Sequence, residues 1–155
     1  MRKRSKYKPR NVYLNPMEYV KQSVATLNSH KALLDLQLKN HSAMAELTQG
    51  RASKRDVDTV ISALNMAEAF CLRGHGADYV QEITNGLEAL KAVCVRSIKA
   101  ERFVLRAFEM QAINLAMEVH NAQLEVVSLR DMERARDLVI SVIKNKKANV
   151  INEQG

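Results

Sequence analysis

The sequence predicts an all-α fold: a compact antiparallel bundle of five or six helices with a disordered basic N-terminal arm. Three observations lead there. Apolar residues recur at three- and four-residue spacing in every patterned segment and alternate in none. The only prolines are Pro9 and Pro16, so nothing beyond residue 16 forces a helix to break. Of the 155 residues 46% are hydrophobic, enough for one core in one domain without disulfides or metals. The layout this implies is a flexible arm over 1–12, a single helical domain over 13–147 and a disordered tail over 148–155.

The arm, MRKRSKYKPR, is too charged to pack and has no periodicity. Asn15-Pro16-Met17-Glu18 then starts a helix, with Asn as N-cap, Pro at the first helical position and Glu at the third. Its stripe is Met17, Val20, Val24 and Leu27. Asn28-Ser29 interrupts it, an uninterrupted helix being the alternative, and a second helix runs to about Thr48 with Gly50 as its stop. Leu34, Leu38, His41, Met44 or Ala45, and Leu47 mark the expected inward face.

Ser53 with Asp56 three residues on starts a third helix lined by Val57, Val60, Ile61, Leu64, Ala67 and Cys71. Glu68 falls on that same face, and Gly74 ends the helix. Gly74-His75-Gly76 is a tight turn, too short to cradle a phosphate. A fourth helix follows with Val80, Ile83, Leu87, Leu90 and Cys94; Gly86 inside it costs about 1 kcal/mol relative to Ala and so signals a close helix approach. Its end, between Ser97 and Phe103, carries no Gly or Pro.

Arg102–Val127 reads as the central helix because it bears two apolar stripes, and a helix with two must be covered from both sides. One stripe is Leu105, Phe108, Ala112, Leu115, Val119, Ala122 and Val126; the other is Met110, Ile113, Met117, Leu124 and Val127. Ser128 with Asp131 restarts a last helix whose stripe is Met132, Ala135, Val139 and Val142 or Ile143.

The net charge of +7 is concentrated at the ends. Arg2, Lys3, Arg4, Lys6, Lys8 and Arg10 are crowded into the arm without an acid, and Lys144, Lys146 and Lys147 add to the other end, so the body is about neutral. Cys71 and Cys94 fit buried free thiols in a reducing compartment. No apolar run approaches the roughly 18 residues of a membrane span, and the basic start is followed by no apolar signal region. The expected location is the cytoplasm.

Three polar residues, His41, Glu68 and His120, interrupt apolar stripes. A carboxylate and two imidazoles inside a bundle have the composition of a metal site. Di-iron bundles need Glu three residues before His, however, and positions 38 and 117 are Leu and Met. The expectation is a satisfied buried polar cluster, or separately satisfied groups, without metal. There is no nucleophile elbow, phosphate loop or Cys-x-x-Cys, so the sequence assigns no catalytic residue and no cofactor.

The arm residues Arg2, Lys3, Arg4, Lys6, Lys8 and Arg10, with Tyr7 as a ring able to stack on a base, are the candidate nucleic-acid contacts through sequence-independent attraction to phosphates. No helix-turn-helix with a basic recognition helix is apparent. Arg102 and Arg106 lie one turn apart on the central helix, and Arg130, Arg134 and Arg136 on the last helix are balanced by Asp131, Glu133 and Asp137.

KPRNVYLNPMEYV, KNHSAMAELTQG, NMAEAF, RFVLRAFEM, MEVHNAQLEVV and RDMERARDLV together resemble a group of small helical accessory proteins from bacterial phages, prophages and related mobile elements. The resemblance covers most of residues 8 to 140 and carries no catalytic or binding residue. It implies work in a bacterial host cytoplasm beside host machinery or defences. The function expected is a non-enzymatic binder of nucleic acid or a nucleoprotein complex. The alternative is a protein-interaction module that inhibits or regulates a host or phage complex through a helical face. Surplus apolar faces on the last two helices add the expectation of a homodimer.

Overall fold

A computed structural model of the protein describes residues 29–100 and 102–145, and places five helices there: α1 Ser29–Thr48, α2 Lys54–Leu72, α3 Val80–Ser97, α4 Ala107–Val126 and α5 Leu129–Lys144. A 3-10 turn, Ala77–Tyr79, leads into α3, and no strand occurs among the described residues. The basic arm, the helix expected from Asn15 and the C-terminal tail lie outside the described residues.

Local chemistry accounts for the helix boundaries. At α2 the Ser53 hydroxyl accepts from the Asp56 N–H at 3.3 Å while the Asp56 carboxylate accepts from the Ser53 N–H at 2.8 Å. At α5 the same reciprocal pair joins Ser128 and Asp131, both bonds at 3.1 Å. Each satisfies helix N–H groups that have no intrahelical acceptor. Between α2 and α3, Gly74 and Gly76 take φ of +91° and +75°, which lets the chain reverse within three residues.

The helices pack antiparallel in sequence, with Leu64 of α2 beside Gly86 of α3, and Gly86 in turn against Ala116 of α4. A Cβ on Gly86 would lie 2.5 Å from that of Ala116. The missing side chain is what allows α3 and α4 to approach, as the sequence led us to expect.

The structure overturns the choice of central helix. α2, more than α4, packs extensively against every other described helix, and it buries Val57, Val60, Ala63, Leu64, Ala67, Ala69, Phe70 and Cys71. A large core of α1, α2, α3 and α4 residues surrounds Val60, Leu64, Ile83 and Ile113, and a smaller one joins Phe70 to Leu124 and Ala135. α4 buries one stripe only: Ile113, Ala116, Met117 and Leu124 interleaved with Glu109, His120 and Gln123. Phe108, Leu115 and Val126 are 64%, 48% and 74% exposed, because α5 folds back onto α2 and leaves the outer stripe of α4 uncovered.

α1 is rotated from its expected register. Asn40, Ala43, Met44 and Leu47 are buried, whereas Leu34 and Leu38 are about half exposed and His41 is exposed. The buried set keeps a three-four spacing with Leu33 and Leu36, but the polar Asn40 in its middle hid that stripe. α4 also starts later than expected. Arg102 and Arg106 belong to the connection before it and not to its first turns.

Candidate functional site

The polar residues expected to cluster are in three separate places. His41, on the outer face of α1, reaches only Asn121, with 3.4 Å between His41 Nε2 and Asn121 Nδ2. Glu68 is half-buried and lines a groove between α2, α3 and α5. His120 is 1% exposed and stacks on Phe70, with ring centroids 6.0 Å apart and planes at 16°. The cluster prediction is therefore corrected: His41 sits one face away because α1 is rotated, and Glu68 turns to another flank of α2. Among the described residues no group of three or more His, Cys, Asp or Glu is placed to hold a metal ion.

His120 instead belongs to a cleft of about 290 Å³ bounded by α1, α2, α4 and the start of α5. Leu36, Met66, Phe70, Leu124 and Met132 supply its apolar walls, and Lys39, Arg55, Asp58 and Ser62 stand among its polar lining. Two lining residues are almost fully buried and polar, His120 and Asn40, the latter 2% exposed. Among the described residues His120 Nδ1 and Asn40 Nδ2 have no hydrogen-bond partner. Burial, opposed in part by the neighbouring Gln123 side chain, pushes the His120 imidazole down to about 4, so at neutral pH it is uncharged, with one N–H and one lone pair. Unsatisfied buried nitrogens are uncommon in a packed core because each forfeits its hydration without recompense.

At the far end of α3 and the start of α4 lies a charged pair absent from the sequence reading. Glu109, 1% exposed, receives two bonds from Arg96, at 2.8 and 2.7 Å, and one from the Arg106 backbone N–H at 2.8 Å. The Arg96 guanidinium also donates to the Val104 carbonyl at 2.9 Å. The Arg96 hydrogen bonds, helped by the Arg106 N–H and the guanidinium charge, hold the Glu109 carboxyl below the usual carboxylate range despite burial. The arrangement fixes the 98–106 connection, caps α4 at Arg106 and leaves the buried carboxylate paired.

The opposite end is tied by Gln123. Its side-chain amide donates to the Ala67 carbonyl at 3.1 Å, the His75 carbonyl at 2.9 Å and the Cys71 sulfur at 3.3 Å, joining α4 to α2 and the Gly74–Gly76 turn. The Cys71 thiol donates to the Gly76 carbonyl at 3.2 Å. Both cysteines are free and buried, and burial pushes both thiols up, away from the reactive thiolate.

The end that carries the Arg96–Glu109 pair also collects cations. The Gly50 turn and the 98–106 connection meet there: a Cβ on Gly50 would lie 3.6 Å from the Arg102 guanidinium. Lys54, Arg55, Lys99, Arg102 and Arg106 are exposed and make no ion pair among the described residues. Two nearby acids are occupied, since Glu46 accepts two bonds from Arg51, at 3.2 and 2.8 Å, and Asp56 caps α2, while Asp58, one turn on from Lys54, is exposed beside them. The sequence put Arg102 and Arg106 on a helix and so missed this surface. The signal was the run Lys99 to Arg106 beside a boundary without Gly or Pro.

A second groove, of about 420 Å³, opens on the neighbouring flank of α2 toward α3 and α5. Leu87, Leu138 and Val139 line it, Leu72 and Ile143 are 71% and 58% exposed at its edges, and Glu68 and Glu88 give it an acidic border. No helix among the described residues is long and apolar enough to cross a membrane. The candidate arm contacts Arg2, Lys3, Arg4, Lys6, Tyr7, Lys8 and Arg10 lie outside the described residues. Comparison with protein-family models, characterised proteins and solved structures finds no match to this chain.

Proposed function

We propose that this chain is a non-enzymatic accessory protein of a phage or mobile element that binds nucleic acid, or a nucleoprotein complex, by charge. The observation that carries the reading is the end of the bundle where Lys54, Arg55, Lys99, Arg102 and Arg106 are exposed and, among the described residues, make no ion pair. An array of this kind, on the first turn of α2 and the 98–106 connection that the Arg96–Glu109 pair holds, attracts phosphates without reading base sequence. The basic arm adds six further cations on the same chain. The phage context is what the sequence resemblance implies, and work in a host cytoplasm goes with it.

The test is binding of labelled single- and double-stranded oligonucleotides of arbitrary sequence across a salt series. Affinity is expected to fall steeply with salt, with a logarithmic slope of about 0.9 per phosphate contacted on a duplex. Changing Lys54, Arg55, Lys99 and Arg102 together to Gln should lower both affinity and slope, and so should deleting residues 1–10. No binding at low salt sinks the reading.

A different observation favours a second reading, a protein-interaction module that inhibits or regulates a host or phage complex. This is the apolar groove of α2, α3 and α5, with Leu72 and Ile143 exposed beside it. A homodimer through this face is its simplest form. Light scattering at tens of micromolar should then give a dimer mass, and Leu72→Glu with Ile143→Glu should return the monomer.

A further inference from the structure

We propose that the cleft between α1, α2 and α4 binds a nucleobase that carries a phosphate. This cleft adjoins the cationic end and shares Arg55 with it, but the part that would take the base does not depend on that end. The cleft combines two kinds of surface. Met66 and Met132, both partly exposed, offer polarisable thioether walls suited to an aromatic ring, over a floor in which Phe70 is fully buried and stacked on His120. Asn40 and His120 offer a polar edge buried among them; among the described residues no group lies within hydrogen-bond distance of Asn40 Nδ2 or His120 Nδ1, and the Gln123 side chain beside His120 is the one polar neighbour acting on the imidazole.

A purely apolar guest would leave both nitrogens unpaired, and a strongly hydrated one would be desolvated by the walls. What fits is a planar ring whose edge carries donors and acceptors. A side-chain amide is both donor and acceptor and matches the edge of a purine in two bonds. The neutral imidazole of His120 likewise brings one donor and one acceptor. The charged lining fixes the remainder of the ligand: Lys39 and Arg55 are exposed cations suited to a phosphate and outnumber the one carboxylate of the lining, Asp58. With a volume of about 290 Å³ the cleft takes one small ligand and not a stack.

The ligand chemistry has two sources, a free nucleotide or one unstacked base of a bound strand, and the experiment separates them. The full-length chain is titrated calorimetrically with adenosine monophosphate, adenosine, inorganic phosphate and a ten-residue oligodeoxyadenylate. Adenosine monophosphate is expected to bind, adenosine about tenfold more weakly and inorganic phosphate not detectably. Asn40→Leu should weaken the nucleotide at least tenfold. Lys39→Gln with Arg55→Gln should reduce the nucleotide to the affinity of adenosine. Because Asn40 is buried and its replacement can disturb folding, Ser62→Trp provides the control: it obstructs the cleft from an exposed lining position and should abolish nucleotide binding with the melting temperature retained.

Loss of oligonucleotide affinity in Ser62→Trp assigns the ligand to a base within a strand, and unchanged oligonucleotide affinity assigns it to the free nucleotide. Absence of nucleotide and nucleoside binding at millimolar concentration overturns the proposal. So does nucleotide binding that survives Ser62→Trp, or inorganic phosphate binding as well as the nucleotide. Oligonucleotide binding in the absence of any nucleotide binding leaves the charge-based function standing and removes the cleft.

Discussion

Two buried ionisable side chains show how differently the same fold treats charge. Glu109 is kept ionised by the Arg96 guanidinium, whereas His120 is kept neutral by burial. Arg96→Met should therefore strand a buried carboxylate. Breaking a fully buried pair costs about 3–5 kcal/mol, and since Arg96 is 34% exposed and screened by water we expect roughly 2–3 kcal/mol in urea unfolding. Arg96→Met with Glu109→Leu should recover most of that loss; equal losses in the single and double variants would show that the pair does not act as a unit. His120 gives a pH signature. The folded pKa of about 4 lies below the ordinary 6.5, so the unfolded chain takes up the proton first as pH falls. The stabilisation is complete above pH 6.5 and declines toward pH 4, by about 3 kcal/mol in all. His120→Phe should flatten the stability profile in that window, and an unchanged slope between pH 6.5 and 4.5 would place the proton elsewhere.

At the scale of the helices, small side chains and overlapping stripes decide what packs where. Gly86→Ala gains about 1 kcal/mol of helix propensity but drives a methyl to 2.5 Å from the Ala116 Cβ, a clash on a scale that costs about 1–3 kcal/mol. We expect a net loss, reversed by adding Ala116→Gly; thermal melting of the two variants distinguishes this from a simple propensity effect. α2 and α4 provide a second contrast. Leu64→Ala, in a fully buried position on α2, should cost about 2–5 kcal/mol, while Leu115→Ala, half exposed on α4, should cost well under that. Helix existence and the Ser53 and Ser128 starts were legible because caps and three-four spacing act within a few residues. The rotation of α1 and the bare outer stripe of α4 were not, because each sequence offers two plausible stripes. What chooses between them is the side on which α2 packs. The candidate site was legible only in part: His120 showed itself as a polar interruption, but Asn40 was passed over by the same misassigned register, and Arg96 with Glu109 are neighbours only once the 98–106 connection folds.

On the scale of the whole molecule the charges divide into those that hold the fold and those that face outward. Among the described residues one ion pair, Arg96–Glu109, has a buried member, whereas Arg51–Glu46 and Arg136–Asp137 are pairs at the surface. Exposed pairs contribute little and are screened by salt, so the fold itself should be nearly indifferent to ionic strength. The outward cations behave otherwise, because releasing counterions from a polyanion makes its binding steeply salt-dependent. Melting temperature and oligonucleotide affinity measured between about 50 and 200 mM salt should thus diverge, the first shifting by a few degrees at most and the second falling by an order of magnitude or more. If the melting temperature instead rises strongly with salt while affinity does not change, the clustered cations mainly repel one another and the apolar groove beside Leu72 becomes the better account of what this protein binds.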